Sequence, residues 1–225
     1  MLSFTLHQSP LAAEVMVAVF GSAAVSSHPD RLEARGQWRG MRVRMNVATD
    51  ARDEHTAPFT TIDLEEDIDV AASTTGEGAS YVPHEMAIAF APPSLYTVAL
   101  VGAPQTLLES IARGPIAHRL AVNGLDHLSI GADAQREGCK TRGVRLVVEG
   151  WPTDEATLVR LLDSVVAIGA EAQADLAARG ASRHPEVVAY ESARVASRTQ
   201  QGLAIVAGVV AGLSVVAAGV MLALH

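Results

Sequence analysis

Residues 31–47 read RLEARGQWRGMRVRMNV, and the alternation in this stretch decides the fold class. Leu32, Ala34 and Trp38 alternate with Glu33, Arg35 and Gln37; beyond Arg39-Gly40, Met41, Val43, Met45 and Val47 alternate with Arg42, Arg44 and Asn46. Strand side chains point to opposite faces with a period of two, so the pattern predicts a hairpin with one buried and one wet face. Downstream, FTTIDLEEDIDV (59–70) continues the rhythm as a third strand. Ile62, Leu64, Ile68 and Val70 would share one face, and Asp63, Glu65, Asp67 and Asp69 the other.

Further apolar runs extend the sheet: MAIAFA (86–91), LYTVALVG (95–102), HLSIGAD (127–133) and GVRLVVEG (143–150). The small, polar stretch 71–84 and the segment AQREGCKTR (134–142) read as loops. Helical signals lie between and around them. Pro10 fits a first helical position after Ser9, Gly21 is a stop, and Leu11, Val15, Met16 and Val19 would face inward. Leu107, Leu108 and Ile111 have helical spacing, and Gly114-Pro115 ends or kinks that helix. The firmest helix opens at Pro152-Thr153-Asp154-Glu155 with Thr153 as its cap. Leu158, Leu161, Leu162, Val165, Val166, Ile168 and Leu176 form its apolar stripe, and Gly180 ends it. The expectation for 1–180 is an α+β domain, a mostly antiparallel sheet with packed helices.

The C-terminal part has a different character. His184-Pro185 begins a final helix whose portion up to residue 201, largely polar, reads as a juxtamembrane stalk over 181–201. Then Gly202–Leu224, GLAIVAGVVAGLSVVAAGVMLAL, contains no charge and no proline, and Ser214 is its only polar side chain. A helix of that length covers the roughly 30 Å hydrocarbon core of a bilayer, which predicts a transmembrane helix over 202–224. Only His225 follows, so the arrangement is tail-anchored and single-pass. Arg194 and Arg198, with Arg183 further back, form a basic flank, and no Lys or Arg precedes Arg31, as a signal peptide would need. Both points place the body in the cytoplasm, at the inner membrane of a bacterium. Ala204, Gly208 and Gly212 are a ridge of small residues on one helix face. That spacing suits pairing with a second copy or with another membrane helix.

The charge is −8 overall, which does not suit a nucleic-acid binder. Sixteen of the 17 basic residues are arginine, in keeping with a GC-rich coding bias. Cys139 is the one cysteine, so no disulfide forms within the chain and no multi-cysteine metal site exists. Gly138-Cys139-Lys140-Thr141 resembles the end of a phosphate loop, but it lacks the full spacing and precedes a strand rather than a helix. The acidic row from Asp63 to Asp69 reads as a solvated strand face, since alternate strand positions set carboxylates in a line instead of around an ion. The eight histidines form no ligand motif, and no serine-hydrolase or dinucleotide fingerprint is present. No cofactor and no metal is predicted. Arg35, Arg42 and Arg44, on the wet face of the hairpin, are the candidates for contact with an anion or an acidic partner. The functional expectation is a non-catalytic accessory or scaffolding protein that displays an interaction domain at the membrane. The alternative is a membrane-tethered enzyme, most plausibly a hydrolase.

Overall fold

The hairpin forms as expected. In the computed structural model, β2 (Arg31–Trp38) pairs antiparallel with β3 (Met41–Ala48), and Arg39 and Gly40 make the two-residue turn. Both turn residues have positive φ, 49° and 85°, the mirror-image turn whose twist matches that of the flanking strands. Leu32, Ala34, Val43, Met45 and Val47 are buried on one face. The structure describes residues 10–28, 30–48, 58–74, 85–89, 97–122, 125–179 and 183–223; for 10, 85–89, 97–99, 121–122, 175–176, 179, 201 and 206–223 it describes the backbone alone. Ser9, residues 75–84, Phe90, Ala91, Leu95, Tyr96, Gly180, Leu224 and His225, named above, lie outside the described residues, as does the side chain of Leu176; residues 71–73, read as the start of a loop, are a strand.

Seven more strands complete an antiparallel sheet: β1 (Val25–Ser27), β4 (Phe59–Leu64), β5 (Ala71–Ser73), β6 (Glu85–Ala89), β7 (Thr97–Ala103), β8 (Leu125–Gly131) and β9 (Val144–Glu149). Their order is β1-β2-β3-β4-β9-β8-β5-β7-β6. The fold is therefore α+β, as the order of elements predicts. One face carries the main core. Onto it pack α1 (Pro10–Phe20), α2 (Gln105–Arg113), α3 (Pro115–Val122) and α5 (Glu155–Arg179), through residues such as Met16, Leu108, Leu120, Leu162 and Val165. In α1 the inward side is Ala12, Val15 and Met16, with Val19 half-buried; Leu11 is exposed. The cap of α5 is Asp154 rather than Thr153: its carboxylate accepts the Thr157 N–H at 2.8 Å and the Thr157 hydroxyl at 2.7 Å.

Beyond Asp63, which lies in β4, the acidic row is not a strand. β4 stops at Leu64, and residues 65–70 cross over the ends of β9 and β8 to reach β5. Three inter-strand steps are about 14 Å, well within the reach of six residues. Two glycines seat this crossover. A Cβ on Gly143 would lie 1.7 Å from the Leu64 carbonyl oxygen, and one on Gly131 (φ 63°) would lie 1.8 Å from that of Val70. The crossover is then bonded down, with Ile68 N–H to Arg142 O (3.0 Å) and Ala132 N–H to Val70 O (3.0 Å). Ile68 and Val70 are buried as predicted, but through the crossover rather than through a strand face.

A short helix, α4 (Ala132–Arg136), begins the segment that reads as a loop in the sequence. The last helix, α6 (Pro185–Ala223), runs unbroken for 39 residues, about 58 Å. Pro185 takes its first position, and His184 caps it by accepting the Glu186 N–H at Nδ1, 3.1 Å. α6 starts against the sheet face opposite the main core, where Val187 and Tyr190 pack on Ala71 and Ala103. The segment read as a stalk is thus docked over its first turns, with Val187, Tyr190, Arg194 and Ser197 buried. Among the described residues no helix is long and apolar enough to cross a membrane. The side chains of 206–223, most of the run Gly202–Leu224, lie outside that description.

Candidate functional site

The sheet face away from the main core is polar. Arg35, Arg44, Asp63, Arg145, Ser129 and Ser73 stand side by side on consecutive strands. Asp63 is fully buried at the centre of this row. It accepts two bonds from Arg145, at 2.6 and 2.8 Å, and one from Arg44 at 2.8 Å. Burial alone would lower the Arg145 pKa, but its bonds to Asp63 and the Asp63 charge raise it, so this guanidinium stays charged. Paired charges of this kind hold strands in register; breaking one leaves the other stranded.

This arrangement accounts for the arginines proposed from the sequence as an anion contact. Arg35 pairs with Glu33, whose pKa burial would raise but which Arg35, Arg44 and Arg31 together hold below the usual carboxylate range. Arg42 donates to the Glu65 carbonyl at 3.0 Å and lies 4.0 Å from the Glu66 carboxylate. Arg44 belongs to Asp63. Each of the three is matched by acceptors within the fold. Asp63, expected on a solvated face, is instead buried because Arg44 and Arg145 flank it on neighbouring strands.

One histidine sits among hydroxyls. His127 Nδ1 is 2.9 Å from the Thr74 hydroxyl, and Nε2 is 2.6 Å from that of Ser129. Serine beside histidine is the pairing a hydrolase would use. Ser129 is fully buried, however, so its hydroxyl faces no substrate. A hollow of about 570 Å³ between α1 and the start of α5, lined by Leu11, Glu14, Val15, Ala18, Asp154 and others, contains neither residue. Another, of about 430 Å³ along β1 and β2, is lined by His28, Arg31, Glu33 and Arg35 and also lacks them. Among the described residues no group of three His, Cys, Asp or Glu side chains converges to hold a metal. Cys139 is buried in the turn after α4, 3.9 Å from the Leu64 carbonyl oxygen.

The densest constellation outside this row joins α6 to the body. Arg194 donates to Asp133 of α4 and, at 2.9 Å, to the Tyr190 hydroxyl, while its guanidinium carbon lies 5.2 Å from the Tyr190 ring centre. Tyr190 donates to the other Asp133 oxygen at 3.4 Å. All three side chains are buried. Burial raises the Asp133 pKa against the opposing pull of Arg194, Arg136 and the Tyr190 bond. Burial and the Asp133 charge push the Tyr190 phenol up to about 12. A second cluster fixes the start of α6. Asp69 in the crossover meets Arg142 (3.3 Å) and Arg183 (2.8 Å), and both arginines reach Glu191, at 3.1 and 2.8 Å. The Glu191 and Asp69 bonds raise the Arg183 pKa, which keeps its charge in place.

Two members of the basic flank are therefore engaged: Arg194 with Asp133, and Arg183 with Asp69 and Glu191. Arg198 remains exposed. Ala204 is exposed too, and by helical register Ala204, Gly208 and Gly212 continue the face that Tyr190, Arg194 and Ser197 turn to the domain. Sequence reading missed the dock because its partners, Asp133 and Arg194, are 61 positions apart. No family model, curated protein or solved structure matches the chain.

Proposed function

We propose that this chain is a single-pass membrane protein whose α6 anchors a non-catalytic interaction domain at the cytoplasmic face, as an accessory or scaffolding subunit. One observation carries the reading. α6 is a single helix that is bonded into the domain at one end and passes without a break into the uncharged run Gly202–Leu224. Where it leaves the domain it exposes Val195, Leu203 and Ile205, each by about two-thirds (65–67%). Exposed apolar side chains on a projecting helix call for a cover, and a bilayer supplies one. The internal ion pairs of the polar face and the burial of Ser129 favour interaction over catalysis.

The test is sedimentation and flotation of the full chain expressed in a bacterium, with alkaline carbonate washing. The chain stays in the membrane, and removal of residues 203–224 releases it. A reporter fused after His225 reads as extracytoplasmic, and protease added outside spares the domain. Extraction of the full chain by carbonate would overturn the anchor, and digestion of the domain from outside would overturn the topology.

A further inference from the structure

Helix α1 is apolar on both sides. Glu14 is the one polar side chain in its sequence, PLAAEVMVAVF. Ala12, Val15 and Met16 face the core, as a surface helix requires, but Leu11, Val17 and Ala18 stand exposed where polar residues are usual. Among the described residues before α6, Leu11 (45%) and Val17 (38%) are the only large apolar side chains left exposed, and both belong to this helix. A helix that is apolar all round is normally covered all round. The outer side of α1 therefore has the character of a contact surface.

Part of that side lines the hollow of about 570 Å³ between α1 and the start of α5. Leu11, Val15 and Ala18 form its apolar wall, at positions i, i+4 and i+7 of one helix, a span of about 10 Å. Glu14, Asp154 and Glu155 supply its charge, and no Lys, Arg or His lines it. Glu14 and Glu155 enter no ion pair among the described residues. Asp154 caps α5 through Thr157, and those bonds hold its carboxyl below the usual carboxylate range, so it stays charged. Arg160, a turn further on, donates to the Thr157 hydroxyl at 2.8 Å. The dipole of α5 accounts for Asp154 and Glu155 in its first turn, but not for Glu14 in the middle of α1.

Resting on the interaction reading, we infer that this hollow is where the domain takes its partner, an amphipathic helical segment with an apolar ridge and a basic flank. Anchors at helical spacing fill an apolar groove of this length, and the three carboxylates select lysine or arginine beside them. A lipid surface is the wrong cover, since an anionic leaflet repels the same carboxylates.

The test uses the full chain in phosphatidylcholine nanodiscs and a peptide of about twelve residues, with leucines on one helical face and lysines on the other. Its control carries glutamate in place of every lysine. Free peptide is measured in each sample and raised to about 2 mM, where a site of millimolar strength slows amide exchange about threefold. The lysine peptide is expected to slow residues 11–18 and 155–158 by that factor or more, and half-molar salt to weaken the effect. Leu11→Gln/Ala18→Gln removes it, Glu14→Gln/Glu155→Gln removes most of it, and Asp126→Asn, a charge elsewhere on the surface, leaves it. Unchanged exchange at these residues overturns the inference, as does slowing confined to another part of the domain. Equal slowing by the glutamate peptide overturns the basic assignment. Slowing without peptide that grows with protein concentration marks a second copy as the occupant and overturns the partner named here. The anchor is read separately, by whether the chain stays in its membrane through the carbonate wash.

Discussion

Arg194 of the last helix donates to Asp133 of α4, and the two side chains are only 8% and 5% exposed. An ion pair so far from water is held by its geometry, since each partner gave up hydration to enter. Tyr190 closes the set from one helical turn away. The small apolar contact beneath it, Val187 and Tyr190 on Ala71 and Ala103, leaves much of the docking of α6 to these charges.

Removing the cation alone should therefore harm the dock. In Arg194→Met the Asp133 carboxylate stays buried without its main partner, at a cost of about 3–5 kcal/mol near neutral pH. The loss shows as faster hydrogen exchange in the first turns of α6. Acidification should relieve it, because the carboxyl can then take a proton. The double variant Arg194→Met/Asp133→Leu should recover most of the protection at pH 7. Equal protection in the wild type and Arg194→Met would show that the apolar contact suffices.

Tyr190 gives a spectroscopic handle on the same site. Its phenol is pushed up to about 12 from the ordinary tyrosine value of 10.0, so the folded state prefers the neutral form. The stability this lends is complete below the unfolded pKa and is lost as pH rises through the folded one. A tyrosinate absorbance titration should show a component well above 10 that disappears in Tyr190→Phe. If Tyr190→Phe removes only signal near 10, Tyr190 is not buried beside Asp133.

The crossover gives a steric prediction. Gly143→Ala would place a methyl against the Leu64 carbonyl, which is backbone and cannot turn away. The expected cost is at least about 2 kcal/mol in chemical denaturation. Gly150→Ala is the comparison: its φ is 74° but nothing lies within 4 Å, so only conformational strain of about 1–2 kcal/mol applies. A smaller loss at Gly143 than at Gly150 would mean that residues 65–70 do not pass there.

These sites mark where sequence reading ends. The hairpin was legible because Leu32–Val47 pairs local alternation with a turn at Arg39-Gly40. Helix α5 was legible because its stripe, with Leu158, Leu161, Leu162 and Val165 buried, repeats over several turns. The crossover misled because Asp63, Glu65, Asp67 and Asp69 alternate like a strand, although the ladder ends at Leu64. What stops it is a pair of strands inserted from 60 and more residues downstream, and no local pattern carries that. β1 and β5 span three residues each, too few to show a period. Arg194 looked like membrane flank because its partner is distant in the chain, and in space it is part of the fold.

The last prediction joins the ridge to the dock. Ala204, Gly208 and Gly212 continue the helix face that carries Tyr190, Arg194 and Ser197. Two copies that met ridge to ridge would bring both docked domains into the same space, since each domain sits on that side of its own α6. Helix pairing at small residues needs the close approach that this collision opposes. The isolated segment 202–224 should therefore self-associate more strongly in a bilayer reporter than the full chain does. Gly208→Ile should abolish association of the segment, with Val210→Ile as the off-face control. Arg194→Met, by loosening the dock, should raise association of the full chain towards that of the segment. If segment and full chain pair equally well and both lose pairing on Gly208→Ile, the domains do not stand between the helices. If Gly208→Ile changes neither, the ridge is composition alone, and any partner of α6 must be sought on another face.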